Sequence, residues 1–255
     1  MMNMTETVKQ LLIINILFYI GANFVGEPAY HLLSLYFPEN PSFKFWQPLT
    51  SMFMHMPFLN GIGLMHIVFN MIALVSFGSV LERMWGSKKF LFFYISAGLG
   101  AVALHVGINY VTFFNGLEFL EMNGFSRTEV MNLLHQDMID TRWKELMTAE
   151  QFNNFIGAYS NPSLGASGAI YGLLVAFAMA APNAELMLMF IPIPIKAKYF
   201  VPGLLAVDLY FGVTGKPIFG SLGGVAHFAH IGGALIGFIM MWYWKKNQFN
   251  NNRWN

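Results

Sequence analysis

The chain has 255 residues, 56% of them hydrophobic and only 11% charged, with a mean hydropathy of +0.50. A soluble domain of this length would leave too much apolar surface in water, so lipid is the expected solvent. A net charge of +1 gives no footprint for nucleic acid, and zero cysteines exclude disulfides and thiolate chemistry.

Six apolar stretches lie at about 9–27, 62–81, 90–112, 165–183, 197–214 and 225–244. Each is roughly 20 residues long and, at about 1.5 Å per residue, reaches across a hydrocarbon core of about 30 Å. They predict an all-α, polytopic membrane protein with six transmembrane helices, forming one membrane domain over 1–255. The first stretch follows Lys9 as a secretion signal would, but no small-x-small cleavage site comes after it, so it reads as a mature helix. An even number of spans puts both termini on one face. That face collects Lys9, Arg83, Lys88, Lys89, Lys196, Lys198, Lys245, Lys246 and Arg253, against Lys44, Arg127, Arg142, Lys144 and Lys216 opposite, which predicts cytoplasmic termini. The expected location is a bacterial inner membrane.

In the second span, His66 and Asn70 are four residues apart and share a helical face. Both donate hydrogen bonds, which suits stabilisation of an oxyanion; a polar clasp between helices is the other reading. The segment at about 113–163 is predicted to be an insertion on the outer face. Ser126-Arg-Thr-Glu129 and Thr148-Ala-Glu-Gln151 fit capping boxes, so short helices should start there, the first with Val130, Leu133 and Leu134 as an apolar stripe.

Ser167 stands in Gly165-Ala-Ser-Gly168 at the start of the fourth span. Small neighbours let a substrate approach the hydroxyl, and first-turn N–H groups are free to meet a developing oxyanion. The same composition also serves close helix packing. Ile191-Pro-Ile-Pro194 reads as a break before the fifth span. Asp208 in that span is a costly carboxylate, expected to pair with a neighbouring donor or to be protonated.

The sixth span holds His230, followed by Gly233 and Gly237. These glycines form a small-residue face suited to press on Gly168 and Gly172 and bring the imidazole within reach of Ser167, as nucleophile and base require. A neutral histidine bonded between helices is the alternative. His227 and His230 are spaced for a metal, but no His-Glu-x-x-His accompanies them, so His227 is read as structural or solvent-facing and no metal or cofactor is expected. The 26 Phe and 18 Met fit a lipid face and adaptable packing, and Trp46, Trp85, Trp242 and Trp244 fit interfacial anchors.

Taken together, Gly165-Ala-Ser-Gly168, Ala229-His-x-x-Gly-x-x-x-Gly237 and His66-x-x-x-Asn70 resemble the motifs of the rhomboid intramembrane proteases, in the same order and on the expected spans. Leu81-Glu-Arg-Met-Trp-Gly86 is similar to that family's Glu-Arg loop, so the likeness runs from about Trp46 onward. The resemblance implies a serine endopeptidase working on single-span membrane proteins within the bilayer, through a Ser167/His230 dyad without a third carboxylate. It further implies that Tyr171 orients the imidazole, that His66, Asn70 and the Ser167 N–H form the oxyanion hole, and that Phe219-Gly-Ser-Leu-Gly-Gly224 covers the site. Two features depart from the pattern: Gln47 follows Trp46 where the family has arginine, and the His55 to His66 interval is longer than the family's. A rhomboid-like pseudoprotease that escorts membrane clients and a small transporter stay open as alternatives. Nothing in the sequence points to an oligomeric state.

Overall fold

The computed structural model describes residues 4–58, 62–188, 191–214 and 224–251. Helices stand at all six places marked by the apolar stretches. The first is α1 (Glu6–Val25), which Gly26 ends by turning, at φ 79°, into the short α2 (Glu27–Leu33). After a loop and α3 (Gln47–Thr50), the second place holds α4 (Ile62–Ala73), a π-helical turn at Leu74–Gly78 and α5 (Ser79–Trp85), which run on as one rod.

The third helix, α6 (Ser87–Met122), is 36 residues long and overruns the predicted span by a decade of residues. Residues 113–122, expected in the outer insertion, continue it. Phe113, Leu117 and Leu120 are fully buried there, because they face a second hydrophobic cluster built with Val130, Leu134, Trp143, Phe152, Phe155 and Tyr159. Those partners come from α7 (Arg127–His135), α8 (Arg142–Leu146) and α9 (Ala149–Ser160). Thr148 with Gln151 forms the reciprocal capping box of α9 that their spacing predicts, whereas Ser126 caps α7 by accepting from the Glu129 N–H without the return bond of a full box, the Glu129 carboxylate lying near Arg142 instead.

The chain then returns through α10 (Ser167–Ala180), only 14 residues long and so about 21 Å. The proline-rich segment is a hairpin and not a simple break: β1 (Glu185–Leu188) pairs antiparallel with β2 (Ile191–Lys196), with Glu185 opposite Lys196. A two-stranded ribbon has two edges, and a strand edge tolerates the donors that Pro192 and Pro194 lack. Finally α11 (Ala197–Thr214), which contains Pro202, and α12 (Gly224–Asn251) close the bundle. By length and composition, three helical rods among the described residues can cross a membrane: Glu6–Val25, Gly63–Trp85 and Ser87–Met122. The expected count of six is therefore not established on that criterion. Most of the glycine-rich stretch 219–224 lies outside the described residues, as does part of the interval between His55 and His66.

Two polar anchors hold α1 to the rest. The Glu82 carboxylate accepts from the Thr5 hydroxyl, the Thr7 and Val8 N–H groups and the Ser87 hydroxyl, at 2.5 to 3.0 Å. It thus satisfies first-turn donors of α1 and places a negative charge at the positive end of the helix. Halfway along, Asn15 Oδ1 meets His55 Nε2 at 2.9 Å. At the end where both α1 begins and α12 finishes, Trp85 and Phe93 pack on Trp244, Lys89 lies over the Trp244 ring, and Lys245 donates to the Met179 carbonyl.

Candidate active site

The loop that enters α10 is tied down by backbone bonds before Ser167 is reached. Leu35 and Ser163 exchange N–H···O bonds of 2.8 Å, and Gly165 donates to the Ser51 carbonyl at 2.9 Å. Gly165 sits at φ 133°, a region that disfavours any side chain, and a Cβ there would lie 3.3 Å from the His66 ring and 3.5 Å from Ser167 Oγ. Absence of a side chain at this position leaves the space in front of the hydroxyl open. Ser167 itself is the first residue of α10, with first-turn N–H groups at its back.

What brings α12 to Ser167 is the glycine face expected from the sequence. A methyl at Gly233 would overlap the Gly168 carbonyl, and one at Gly237 would stand 2.7 Å from Gly172 Cα. Backbone-to-backbone contact of this kind is what small residues permit between membrane helices. Sequence reasoning missed the third wall. A Cβ on Gly172 would come within 2.6 Å of Ala97, one on Gly168 would strike Ala101, and one on Gly232 would lie 2.7 Å from the Gly100 carbonyl. The small-residue run Ala97-Gly-Leu-Gly-Ala101 of α6 was the available signal, and it makes α6 the element on which α10 and α12 both rest.

At this contact His230 Nε2 lies 2.9 Å from Ser167 Oγ. Tyr171, one turn below Ser167, stacks on the imidazole with centroids 4.1 Å apart and planes 6° from parallel. His66 flanks the opening beside Gly165, its Nδ1 facing the Met56 N–H at 3.4 Å. Asn70 is buried, and its amide donates to the His66 carbonyl at 2.7 Å, so it braces the helix under His66 without a bond to Ser167 or His230. Among the described residues, then, Ser167, His230, Tyr171 and His66 converge, while Asn70 stands one turn behind.

Asp208 finds the donors expected of a buried carboxylate, and they are two imidazoles: its Oδ1 lies 3.1 Å from His230 Nδ1 and 2.5 Å from His227 Nδ1. A carboxylate thus stands beside the pair, where the resemblance implies none. His227 is 5% exposed, in keeping with the structural reading and not the solvent-facing one. Both follow from the packing of α11 on α12, which points residues 227 and 230, three apart on one face, at a carboxylate that burial obliges to find donors. The three side chains offer ligand atoms within 4.8 Å of one another; both Nδ1 atoms meet Asp208 Oδ1, while Asp208 Oδ2 and His227 Nε2 are buried without a hydrogen-bond partner among the described residues.

His55, whose placement the sequence left open, is fully buried between Asn15 and His66, its ring edge-on to His66 at 5.2 Å. Gln47, standing where the resemblance leads one to expect arginine, is also fully buried. It accepts from the Tyr36 N–H and donates to the His31 and Ser42 carbonyls, so it staples the loop in front of α3. Beside Ser167 a cavity of about 30 Å³, lined by Ser51, His105, Ser163 and Gly165 among others, has room for water.

The family model described as Rhomboid domain matches residues 42–247. The chain is 41% identical over 64 residues to rhomboid protease GluP of Bacillus subtilis, a stretch covering 25% of this chain and 11% of that protein. It is 26% identical over 181 residues to mitochondrial rhomboid protein 1 of Saccharomyces cerevisiae, covering 71% and 38%. It is 28% identical over 211 residues to the human mitochondrial presenilin-associated rhomboid-like protein, covering 82% and 40%. The matches thus span between 11% and 40% of the length of these curated relatives. Two of the three are mitochondrial by name, so the likeness supports a membrane location and does not favour the bacterial inner membrane expected from the sequence.

Proposed function

Since the chain belongs to the rhomboid family, a helical membrane bundle, we propose that it is an intramembrane serine endopeptidase that cuts single-span membrane proteins near the outer face of the bilayer. The observation that carries this reading is the 2.9 Å contact between His230 Nε2 and Ser167 Oγ at the start of a helix. Nucleophile and base need that reach and that alignment.

In the proposed reaction, Ser167 Oγ attacks the scissile carbonyl while its proton passes to His230 Nε2. First-turn N–H groups of α10 and the His66 imidazole meet the oxyanion, with Asn70 holding His66 in place; one such donor is worth about 2.7–4 kcal/mol of barrier. Collapse of the tetrahedral intermediate expels the amine, which takes the proton from His230, and leaves an ester on Ser167. Water from the cavity beside Ser167 then attacks the ester with His230 again as base, and the serine hydroxyl is restored. The six main helices are taken as spans of one domain, with the termini on the cytoplasmic side and α7–α9 outside. No cofactor is needed for these steps.

The test uses the chain reconstituted in liposomes with a labelled library of single-span substrates, compared with Ser167→Ala and His230→Ala, cleavage being read by mass. Cleavage by the native chain that both substitutions abolish supports the reading. If the folded native chain neither cleaves nor reacts with a fluorophosphonate at Ser167, the reading is wrong.

A further inference from the structure

Among the described residues, Asp208 is the carboxylate that reaches the His230 imidazole, and the Ser167/His230 pair leaves it unexplained. It is 4% exposed on a helix where an acidic side chain is expensive to bury, and its Oδ1 serves two imidazoles at once. We propose that Asp208 is a positioning residue for His230, making an Asp208–His230–Ser167 chain with His227 as the side support of the carboxylate. This inference rests on the serine-protease reading above.

The argument starts from what the imidazole needs. To take a proton at Nε2, His230 must carry its own proton on Nδ1, and a neutral imidazole otherwise divides between two tautomers. Tyr171 fixes the plane of the ring by stacking on it. Stacking does not tell one edge of the ring from the other, since a half-turn about the Cβ–Cγ bond leaves the face contact nearly unchanged. An acceptor in the ring plane makes that distinction. Asp208 Oδ1, 3.1 Å from Nδ1, accepts the Nδ1–H and leaves the Nε2 lone pair aimed at Ser167 Oγ, 2.9 Å away.

When Ser167 attacks, its O–H bond breaks and an Nε2–H bond forms. The Nδ1–H stays on His230, and the carboxylate next to it compensates the new positive charge; no proton moves to Asp208. His227 Nδ1, 2.5 Å from the same oxygen, holds the carboxylate against rotation. Phe211 of α11 lies over the His227 ring at 5.8 Å and limits its motion in turn.

The experiment measures kcat and KM separately for the full chain in liposomes, together with the rate of fluorophosphonate labelling of Ser167 and the thermal unfolding temperature. Asp208→Asn and Asp208→Glu are compared with the native chain and with Ser167→Ala. In serine proteases with a buried Asp–His–Ser chain, the Asn replacement lowers kcat about 10⁴-fold; Tyr171 stacking retains part of the orientation here, so a fall of about 10- to 100-fold is expected. KM should stay within about twofold, labelling should slow in step with kcat, and Asp208→Glu, which keeps the charge one methylene further out, should recover part of the loss. Asp208→Asn with native kcat and native labelling overturns the inference while leaving the protease reading intact. So does a loss in Asp208→Asn that is matched by a lower unfolding temperature and not relieved in a stably folded Asp208→Glu, which would mark Asp208 as structural only. If the native chain itself neither cleaves nor labels, the protease reading fails and this inference fails with it.

Discussion

The Tyr171 ring lies flat on the His230 imidazole, 6° from parallel and 4.1 Å between centroids, with Tyr171 one helical turn from Ser167. The same helix therefore carries both the proposed nucleophile and the surface that fixes the plane of its base. Tyr171→Phe keeps the flat surface and should hold kcat within about threefold. Tyr171→Ala frees the ring and should lower kcat about tenfold with little change in KM, measured on a single-span substrate.

Helix approach at Gly233 leaves no space for a methyl group. Gly233→Ala is expected to destabilise the bundle by about 1–3 kcal/mol, and Gly233→Leu by more, through overpacking against the Gly168 backbone. Gly203 on α11 is the internal control, since nothing stands within 4 Å of a Cβ there. Denaturant or thermal unfolding in mild detergent should separate the two sites, with Gly203→Ala unchanged or slightly more stable. Equal losses at both positions would contradict the close α10–α12 contact.

Gln47 satisfies three backbone groups of the loop around it from a fully buried position. Gln47→Ala strips the partners from the Tyr36 N–H and two carbonyls and should cost about 1–3 kcal/mol in stability. Limited proteolysis should then cut first between residues 31 and 47. A chain as resistant as the native one would show that the loop is held by other contacts.

The cluster at Glu82 makes an equally specific claim about α1. Glu82→Ala removes four accepted hydrogen bonds and the negative charge at the start of that helix, and about 2 kcal/mol or more should be lost. Hydrogen exchange should quicken first at Thr7 and Val8. Uniform exchange with unchanged stability would mean that α1 is fixed elsewhere.

Much of this arrangement is legible in residue order because lipid imposes simple rules on a chain. Apolar runs mark where the main helices lie, and the small residues at 168, 172, 233 and 237 mark a face that has no use unless another backbone comes close. The far end of α6 escaped that reading for a physical reason. Phe113, Leu117 and Leu120 are spaced for one helix face, but Asn115, Glu118 and Glu121, which stand exposed on the other side, interrupt the apolar run. The β1–β2 hairpin escaped because two prolines in six residues argue against strand, and only an exposed ribbon edge admits them. The links of Asp208 to His230 and of Asn15 to His55 span 22 and 40 residues. No local pattern announces such a pairing; what the sequence does announce is that each of these polar groups, placed in an apolar setting, needs some partner.

The family match begins at residue 42, which makes α1 look separable, yet two of its features are bound into the part that follows. Thr5, Thr7 and Val8 fill the Glu82 carboxylate at one end, and Asn15 meets His55, whose ring lies edge-on to His66 at the mouth of the site. A first helix borrowed from a related chain would thus be a poor graft unless it brought a matching hydroxyl and amide at the same heights. The leading helix and the part of the chain that the family model matches are fitted to each other.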